Sequence, residues 1–319
     1  MLATISKVPR WLIGFVVATM LVCLSACSSP QKAPEPQTQA SQKSFASPDD
    51  AVKALIEAVK TDNRDALLAI FGPQSTDLIY SGDATADKAS FAAFVSDYDT
   101  MHRLRKMANG NELLITGADN KTFPIPLMKN AGGQWVFDTS AGKEELLARR
   151  IGRNELAAID VCAAIADAQK TYFAQAHDGV KAYAQKFISD EGKQNGLYWP
   201  SPQGKPQSPL GPLVAFATAE GLQLKPNSHQ PFHGYYFRML DAQGAAAKGG
   251  AKSYLVNGKM TGGFGVVAYP AQYNDSGTMT FIINQNGIVY QKDLGKSTDT
   301  VASAMTDFNP DTTWKPVER

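Results

Sequence analysis

The first half of the chain opens with a helical pattern of apolar positions. In "SPDDAVKALIEAVKTDNRDALLAIFGP" apolar side chains recur every three or four residues on both sides of a break near Asp62 and Asn63, which predicts two amphipathic helices. Ser47, followed by Pro48 and two aspartates, is typical of a helix N-terminus. Residues 87–107 predict a third helix, whose apolar positions include Phe91, Phe94, Val95 and Tyr98.

The next segment alternates with a period of two. In "ELLITGADNKTFPIPLMKNAGGQWVFDTS" this period predicts three short strands with turns at residues 118–120 and 130–133. Helices followed by a meander that ends in "WVFD" resemble the cone-shaped NTF2-like or cystatin-like folds. The resemblance implies a first unit of helices plus an antiparallel sheet.

A long helical segment follows the meander. "GKEELLARRIGRNELAAIDVCAAIADAQKTYFAQAH" is nearly all helix formers, with apolar positions at a 3.6-residue period. It predicts one long helix at residues 142–177, either straight or bent at Gly152. Because this helix leaves the first unit and enters the second, we expect it to hold the two units rigidly together.

The second unit resembles the globular part of type IV pilins and pseudopilins. "RNELAAIDVCAAIADAQKTYFAQAHDG" is similar to their opening helix, and "HGYYFRML" and "VVAYPAQYNDSGTMTFIINQNGIVYQ" are similar to the strands that pack on it. The apolar pilin stalk is missing, so the resemblance implies a fold and not filament assembly. The fold class predicted for the whole chain is α+β.

The N-terminus carries a secretory signal. Lys7 and Arg10 precede the apolar run at residues 11–24, and "LSAC" follows. The sequence "LSAC" resembles a bacterial lipobox, which implies that Cys27 is acylated and becomes the first residue of the mature chain. The alternative is a plain transmembrane anchor, but the run is short and ends in small residues.

The residues after the lipobox predict where the protein is held. Cys27 is followed by two serines and not by an aspartate. By resemblance to the sorting rules of bacterial lipoproteins, this implies that the protein is anchored on the periplasmic side of a Gram-negative outer membrane. The Pro-, Gln- and Ser-rich segment to residue 46 has too little apolar surface to fold and predicts a flexible tether. The predicted organisation is a signal at 1–26, a tether at 27–46, an NTF2-like unit at 47–141, the shared helix at 142–177 and a pilin-like unit at 178–319.

Charge and cysteine content exclude several functions. The whole chain has a formal charge of +1, and removal of residues 1–26 takes away two cations and leaves −1, so we expect no nucleic-acid partner. Cys23 leaves with the signal and Cys27 is acylated, so Cys162 has no disulfide partner. Cys162 is predicted to be a small buried side chain of the helix; a reactive thiol would need a basic neighbour.

Residues 260–295 permit three interpretations: a phosphate-binding loop, half of an aspartic protease, or a β-meander. A phosphate loop leads from a strand into a helix, whereas Gly262-Gly263-Phe264-Gly265 leads into a strand-like run. Asp275-Ser276-Gly277-Thr278 resembles an aspartic protease loop, with Asp138 as its partner carboxyl group. Turn and helix-cap chemistry explains both aspartates more simply, so the meander is the predicted structure.

Few other residues suggest chemistry. His229 and His233 are separated by a helical spacing but lie in a Pro-containing coil without a third ligand, so no metal site is predicted. No Gly-x-Ser-x-Gly motif is present, and no cofactor is expected.

The loop "GLYWPSPQGKPQSPLGPL" is the predicted recognition surface. It places Tyr198 and Trp199 among prolines, where an exposed aromatic side chain on an extended backbone suits binding. Tyr235 and Tyr236 are further candidates, although they point to opposite faces of one strand. The alternative is that these aromatic side chains cover the core.

Two functional hypotheses remain. The segments "FASPDDAVKAL", "WVFDTSAGKEELLARRIGRNELAAI" and "GGFGVVAYPAQYNDSG" resemble a family of bacterial lipoproteins with a domain of unknown function, which implies location and no activity. The preferred hypothesis is a non-enzymatic envelope module that binds another envelope protein or a polymer. The alternative is a small-ligand-binding or hydrolytic pocket in the NTF2-like unit.

Overall fold

A computed structural model describes residues 41–80, 84–177, 179–202, 204–219 and 230–318. Within these ranges the chain combines helices with mainly antiparallel sheets, which confirms the α+β class. None of the helices in the described ranges is long and apolar enough to cross a membrane. The apolar run at 11–24, Cys27 and His229 lie outside the described residues.

Local capping sets the first two helices. Helix α1 spans Pro48–Lys60, and the Ser47 hydroxyl accepts the Asp50 N–H at 3.1 Å. Helix α2 spans Arg64–Phe71 and begins at Asn63, whose side chain accepts the Ala66 N–H. The predicted cap and the predicted break are therefore confirmed. Two further helices follow, α3 at Thr76–Ile79 and α4 at Ala84–Thr100.

The predicted end of the third helix is wrong. Helix α4 stops at Thr100, and His102–Lys106 forms strand β1, which pairs along its whole length with β2, Glu112–Thr116. The Gly117 N–H donates to the carbonyl of Met101 at 2.9 Å, so the turn after β2 holds the helix end. A long-range backbone ladder replaces the helical continuation that local spacing predicted.

The first sheet contains more strands than the alternating pattern predicted. After β2 come β3 (Lys121–Thr122), β4 (Leu127–Lys129) and β5 (Trp135–Phe137), with the order β1-β2-β4-β5 and β3 beside β2. Both predicted turns are present, with Asn120 and Gly133 at positive φ. Pro124 and Pro126 have no N–H to donate, and they separate β3 from β4, which both pair with β2.

The predicted long helix is confirmed as α5, Thr139–Ala174, which continues through Gly152 and both begins and ends three residues earlier than expected. Its first turns contact the first sheet: Gly142 lies so close to Ile125 that a Cβ would come within 2.7 Å of that side chain. The Arg149 guanidinium donates to the Thr122 carbonyl at 3.0 Å. The later turns of α5 pack on the second sheet.

The second sheet contains the predicted meander. Its order is β15-β13-β12-β11-β6, and β11, β12 and β13 are consecutive antiparallel neighbours. The elements after α5 are α6 (Gly211–Ala219), β6 (Tyr235–Leu240), β7 (Ala242–Gln243), β8 (Lys252–Ser253), β9 (Leu255–Val256), β10 (Lys259–Met260), β11 (Gly265–Pro270), β12 (Met279–Asn284), β13 (Tyr290–Asp293), α7 (Thr298–Ser303), β14 (Asp307–Phe308) and β15 (Lys315–Pro316).

Buried apolar side chains form two clusters. The first draws on residues 45–137 and includes Leu55 and Leu67. The second draws on residues 158–314 and includes Cys162 and Phe281. Helix α5 joins the second cluster from Ala158 onwards, whereas its first turns contact the first half of the protein. Each half therefore holds one end of the helix.

Candidate functional site

The Asp-Ser-Gly-Thr segment is a turn between β11 and β12. Asn274 has a φ of 58°, and its N–H donates to the Gly277 carbonyl at 2.8 Å. The Ser276 N–H donates to the Gln272 carbonyl at 2.9 Å. The glycine-rich residues at 262–265 lead into strand β11 and not into a helix. The β-meander interpretation is therefore confirmed.

This turn is fastened to helix α5. The guanidinium of Arg150 is paired with the carboxylate of Asp275, and the Asn154 side chain donates to the Ser276 carbonyl at 2.8 Å. The carboxylate of Glu155 accepts the N–H groups of Thr278 and Met279 at 2.9 and 3.0 Å. Three side chains within about one and a half turns of α5 thus fix the position of the meander.

The same contacts separate the two aspartates of the protease hypothesis. The Asp138 carboxylate accepts the Ala141 N–H at 3.0 Å and caps α5. Asp275 contacts the helix at Arg150, which is ~18 Å further along the axis at 1.5 Å per residue. Two carboxyl groups that far apart cannot share a proton. Cap and turn chemistry accounts for both residues.

Tyr235 does not belong to a recognition surface. Its side chain is 0% exposed, and its hydroxyl donates to the Met279 carbonyl at 2.9 Å. Burial raises the pKa of this hydroxyl far above its usual range, and the charge of Glu155 raises it further. Tyr236 points to the other face, is half-buried and lies 5.6 Å from the Tyr269 ring. The opposite orientations were predicted, but Tyr235 is a core residue.

Trp199 is half-buried at the end of helix α5. Its ring meets those of Tyr172 and His177 edge-on, with centroids 6.5 and 6.4 Å away and interplanar angles of 65°. Tyr172 and His177 are themselves stacked at 3.7 Å. The Tyr172 hydroxyl donates to the Gln194 carbonyl at 2.8 Å. The indole therefore packs against a stacked aromatic pair that is itself held by a hydrogen bond.

The backbone before Trp199 is also held firmly. The Tyr198 N–H donates to the Phe187 carbonyl at 2.8 Å, and the Tyr198 carbonyl accepts the Ser189 N–H at the same distance. Gly196 lies against the backbone of Ile188, where a Cβ would approach to 2.7 Å. Tyr198 and Trp199 are both partly buried against the second cluster, as the core-covering alternative predicted, and their role in recognition stays a prediction.

A second stacked pair lies on the same end of the helix. The rings of Phe173 and Tyr183 are 4.5 Å apart at 25°, and both side chains are half-buried. Burial raises the pKa of the Tyr183 hydroxyl. We use the name aromatic surface for Phe173, His177, Tyr183 and Trp199. The sequence pointed only to Trp199, because the other three appeared as ordinary members of a helix and its following loop.

Cys162 and His233 play no role in this surface. Cys162 is a buried cysteine of the second cluster, as predicted. The ring of His233 lies 4.1 Å from Phe232 and 6.2 Å from Phe216. Across the described ranges, no three His, Cys, Asp or Glu side chains are placed to hold a metal ion.

The first half contains an apolar cavity of about 260 Å³. Its floor is buried and its half-buried rim comes from α3, α4, the β3–β4 connection and α5. All twelve lining residues are apolar, so the cavity contains none of the ionisable groups that hydrolysis would need: Leu55, Val59, Leu67, Phe71, Leu78, Ile79, Phe91, Phe94, Phe123, Pro124, Ile125 and Leu146.

This cavity is larger than an ordinary packing defect. It opens to solvent along its half-buried rim, so part of its apolar lining is exposed to water. Transfer of an apolar ligand into it would remove that surface from water, which is favourable. The small-ligand part of the alternative hypothesis thus has a structural basis, and the hydrolytic part has none in this cavity.

A wider groove of about 710 Å³, lined by both apolar and charged side chains, adjoins the cavity between α1 and α4. Val59 and Phe91 line both spaces. The groove is also lined by two lysines and two aspartates, Lys60, Lys88, Asp62 and Asp99. Lys60 and Asp99 form an exposed ion pair at 3.0 Å.

Comparison with known proteins gives one match. The family described as protein of unknown function (DUF2950) matches residues 42–317. No curated protein and no solved structure matches the chain.

Proposed function

Because the chain belongs to the DUF2950 family of proteins of unknown function, which carries no assigned activity, we propose a function from the chain's own features. The protein is a non-enzymatic lipoprotein of the bacterial envelope that binds another envelope protein or a polymer. Trp199 and its neighbours on the aromatic surface form the contact.

The N-terminal sequence supports the location. A cationic start, a short apolar run and "LSAC" direct export and acylation of Cys27, and the following serines direct the protein to the outer membrane. The tether at 27–46 lets the folded part work at a distance from the lipid surface.

The order of elements supports two likenesses of fold. Helices α1–α4 followed by a meander are similar to an NTF2-like unit, and α5 on an antiparallel sheet is similar to the globular part of a pilin. Neither likeness brings an activity to this chain, since fold alone does not determine function.

The observation that carries the proposal is the support beneath Trp199. A large aromatic side chain held in one position loses little entropy when it binds, so it makes a strong anchor. Tyr172 and His177 pack against the indole, and backbone hydrogen bonds to Phe187 and Ser189 hold Tyr198, the residue just before it. Tyr198 and Tyr236 are secondary contacts, because each is partly exposed.

Trp199→Ala tests the proposal by chemical crosslinking in intact cells, with the captured protein or polymer identified and quantified. Loss of a binding anchor costs ~2 kcal/mol or more, so we expect capture to fall about 30-fold. Phe216→Ala is the matched control, because Phe216 is 53% exposed in the same half of the protein. If the Trp199→Ala protein folds normally by circular dichroism and still captures the same partner, the proposal is contradicted.

A further inference from the structure

The apolar cavity and the groove beside it share two side chains of their lining. Val59 on α1 and Phe91 on α4 line both spaces, so the boundary between them is apolar. An apolar space beside a charged one matches an amphiphile, whose tail and head prefer different surroundings.

The size of the cavity limits the tail. Its volume of about 260 Å³ exceeds the ~150 Å³ of an engineered apolar cavity that takes up benzene. Scaled from that case, it accepts a single chain of roughly ten carbon atoms. A phospholipid with two long acyl chains is too large for it.

The charges of the groove limit the head. Lys60 and Asp99 already pair with each other, so Lys88 and Asp62 offer one positive and one negative charge to a head group. A head group with a single charge would meet like charges as well as opposite ones. A zwitterionic head can place each of its charges beside an opposite one.

Helix α4 is the wall through which such a ligand enters. None of its side chains is buried, although four of its apolar residues pack against the first cluster. Its C-terminal end is fixed by ion pairs from Asp97 to Lys121 and from Asp99 to Lys60. Segments with few buried contacts have the lowest free-energy cost of local opening. We therefore expect the half of α4 around Phe91 and Phe94 to move aside when the ligand enters.

We infer that the first half of this protein binds a single-chain zwitterionic amphiphile, with its tail in the apolar cavity and its head in the groove lined by Lys60, Lys88, Asp62 and Asp99. This activity is independent of the Trp199 surface, because the two sites draw their contacts from different clusters.

The test is photolabelling of the full-length protein with a decanoyl lysophosphocholine that carries a diazirine at the end of its chain. Mass spectrometry then locates the labelled residues. We expect the label on the cavity walls, at Phe94, Phe123 and Leu146. Label spread over exposed apolar positions such as Leu156, which is 67% exposed, would overturn the inference.

Leu146→Trp fills the cavity from helix α5 and should lower labelling at least tenfold. Leu156→Trp makes the same change on the same helix outside the cavity and should leave labelling unchanged. Equal labelling of the two variants would overturn the inference. If Leu146→Trp does not fold, Leu78→Phe on α3 replaces it, because Leu78 lines the same cavity. Leu78→Phe should then lower labelling relative to Leu156→Trp.

The head group is tested with two probes that keep the tail and carry only a carboxylate or only a trimethylammonium group. The zwitterionic probe should label the cavity at least fivefold more strongly than either. If a singly charged probe labels the cavity as strongly, the assignment of a zwitterionic ligand is wrong.

Discussion

Two glycines show how much one methyl group matters at different places in this fold. A Cβ at Gly277 would overlap the hydroxyl of Tyr235, which is fully buried and bonded to Met279. At Gly152, in the middle of α5, a Cβ would meet nothing within 4 Å. The same substitution therefore has opposite expected effects at the two positions.

Gly277→Ala should lower the free energy of unfolding by ~1–3 kcal/mol, because overpacking forces Tyr235 or the turn to move. Gly152→Ala should raise it by ~0.5–1 kcal/mol, because alanine loses less conformational entropy than glycine in a helix. Urea unfolding followed by circular dichroism measures both. A neutral Gly277→Ala would show that the turn is not packed on Tyr235 as described.

At the scale of elements, helix α5 is the part that both halves share. Its start contacts Ile125 and Thr122, its middle holds the turn at 274–278, and its end lies in the second cluster. The predicted units at 47–141 and 178–319 should then both depend on this helix for their stability. A substitution that breaks the helix should therefore destabilise both units.

Ala157→Pro removes a helix hydrogen bond and clashes with the preceding turn, which costs ~3 kcal/mol or more. We expect both halves to unfold together at a lower temperature, monitored by calorimetry and by hydrogen exchange in each half. Thr139→Pro is the control, since Thr139 is the first residue of α5, where proline is tolerated. Unchanged unfolding of Ala157→Pro would refute the shared-helix prediction.

At the scale of the whole molecule, the proposed location depends on Cys27. Cys27→Ala should abolish incorporation of labelled palmitate and leave a precursor in the inner membrane or a soluble form. Cys23→Ala and Cys162→Ala should retain the label, because Cys23 precedes the lipobox cysteine and Cys162 is buried. Palmitate on the Cys27→Ala protein would show that the anchor has been assigned wrongly.

The sequence alone determined the features that depend on neighbouring residues. The caps at Ser47 and Asp138, the turn at Asn274 and the length of α5 were all predictable, because each rests on hydrogen bonds or spacing within a few residues. The α+β class followed from the order of these local patterns.

Only the tertiary structure decided the features that depend on distant partners. Residues 102–106 form a strand because β2 offers a ladder, and Tyr235 is buried while Tyr236 is not because α5 packs on one face of the sheet. The support under Trp199 joins residues from α5 and from the following loop. The cavity exists because α1–α5 and the β3–β4 connection meet without filling the space between them, and no local pattern records how completely distant side chains pack.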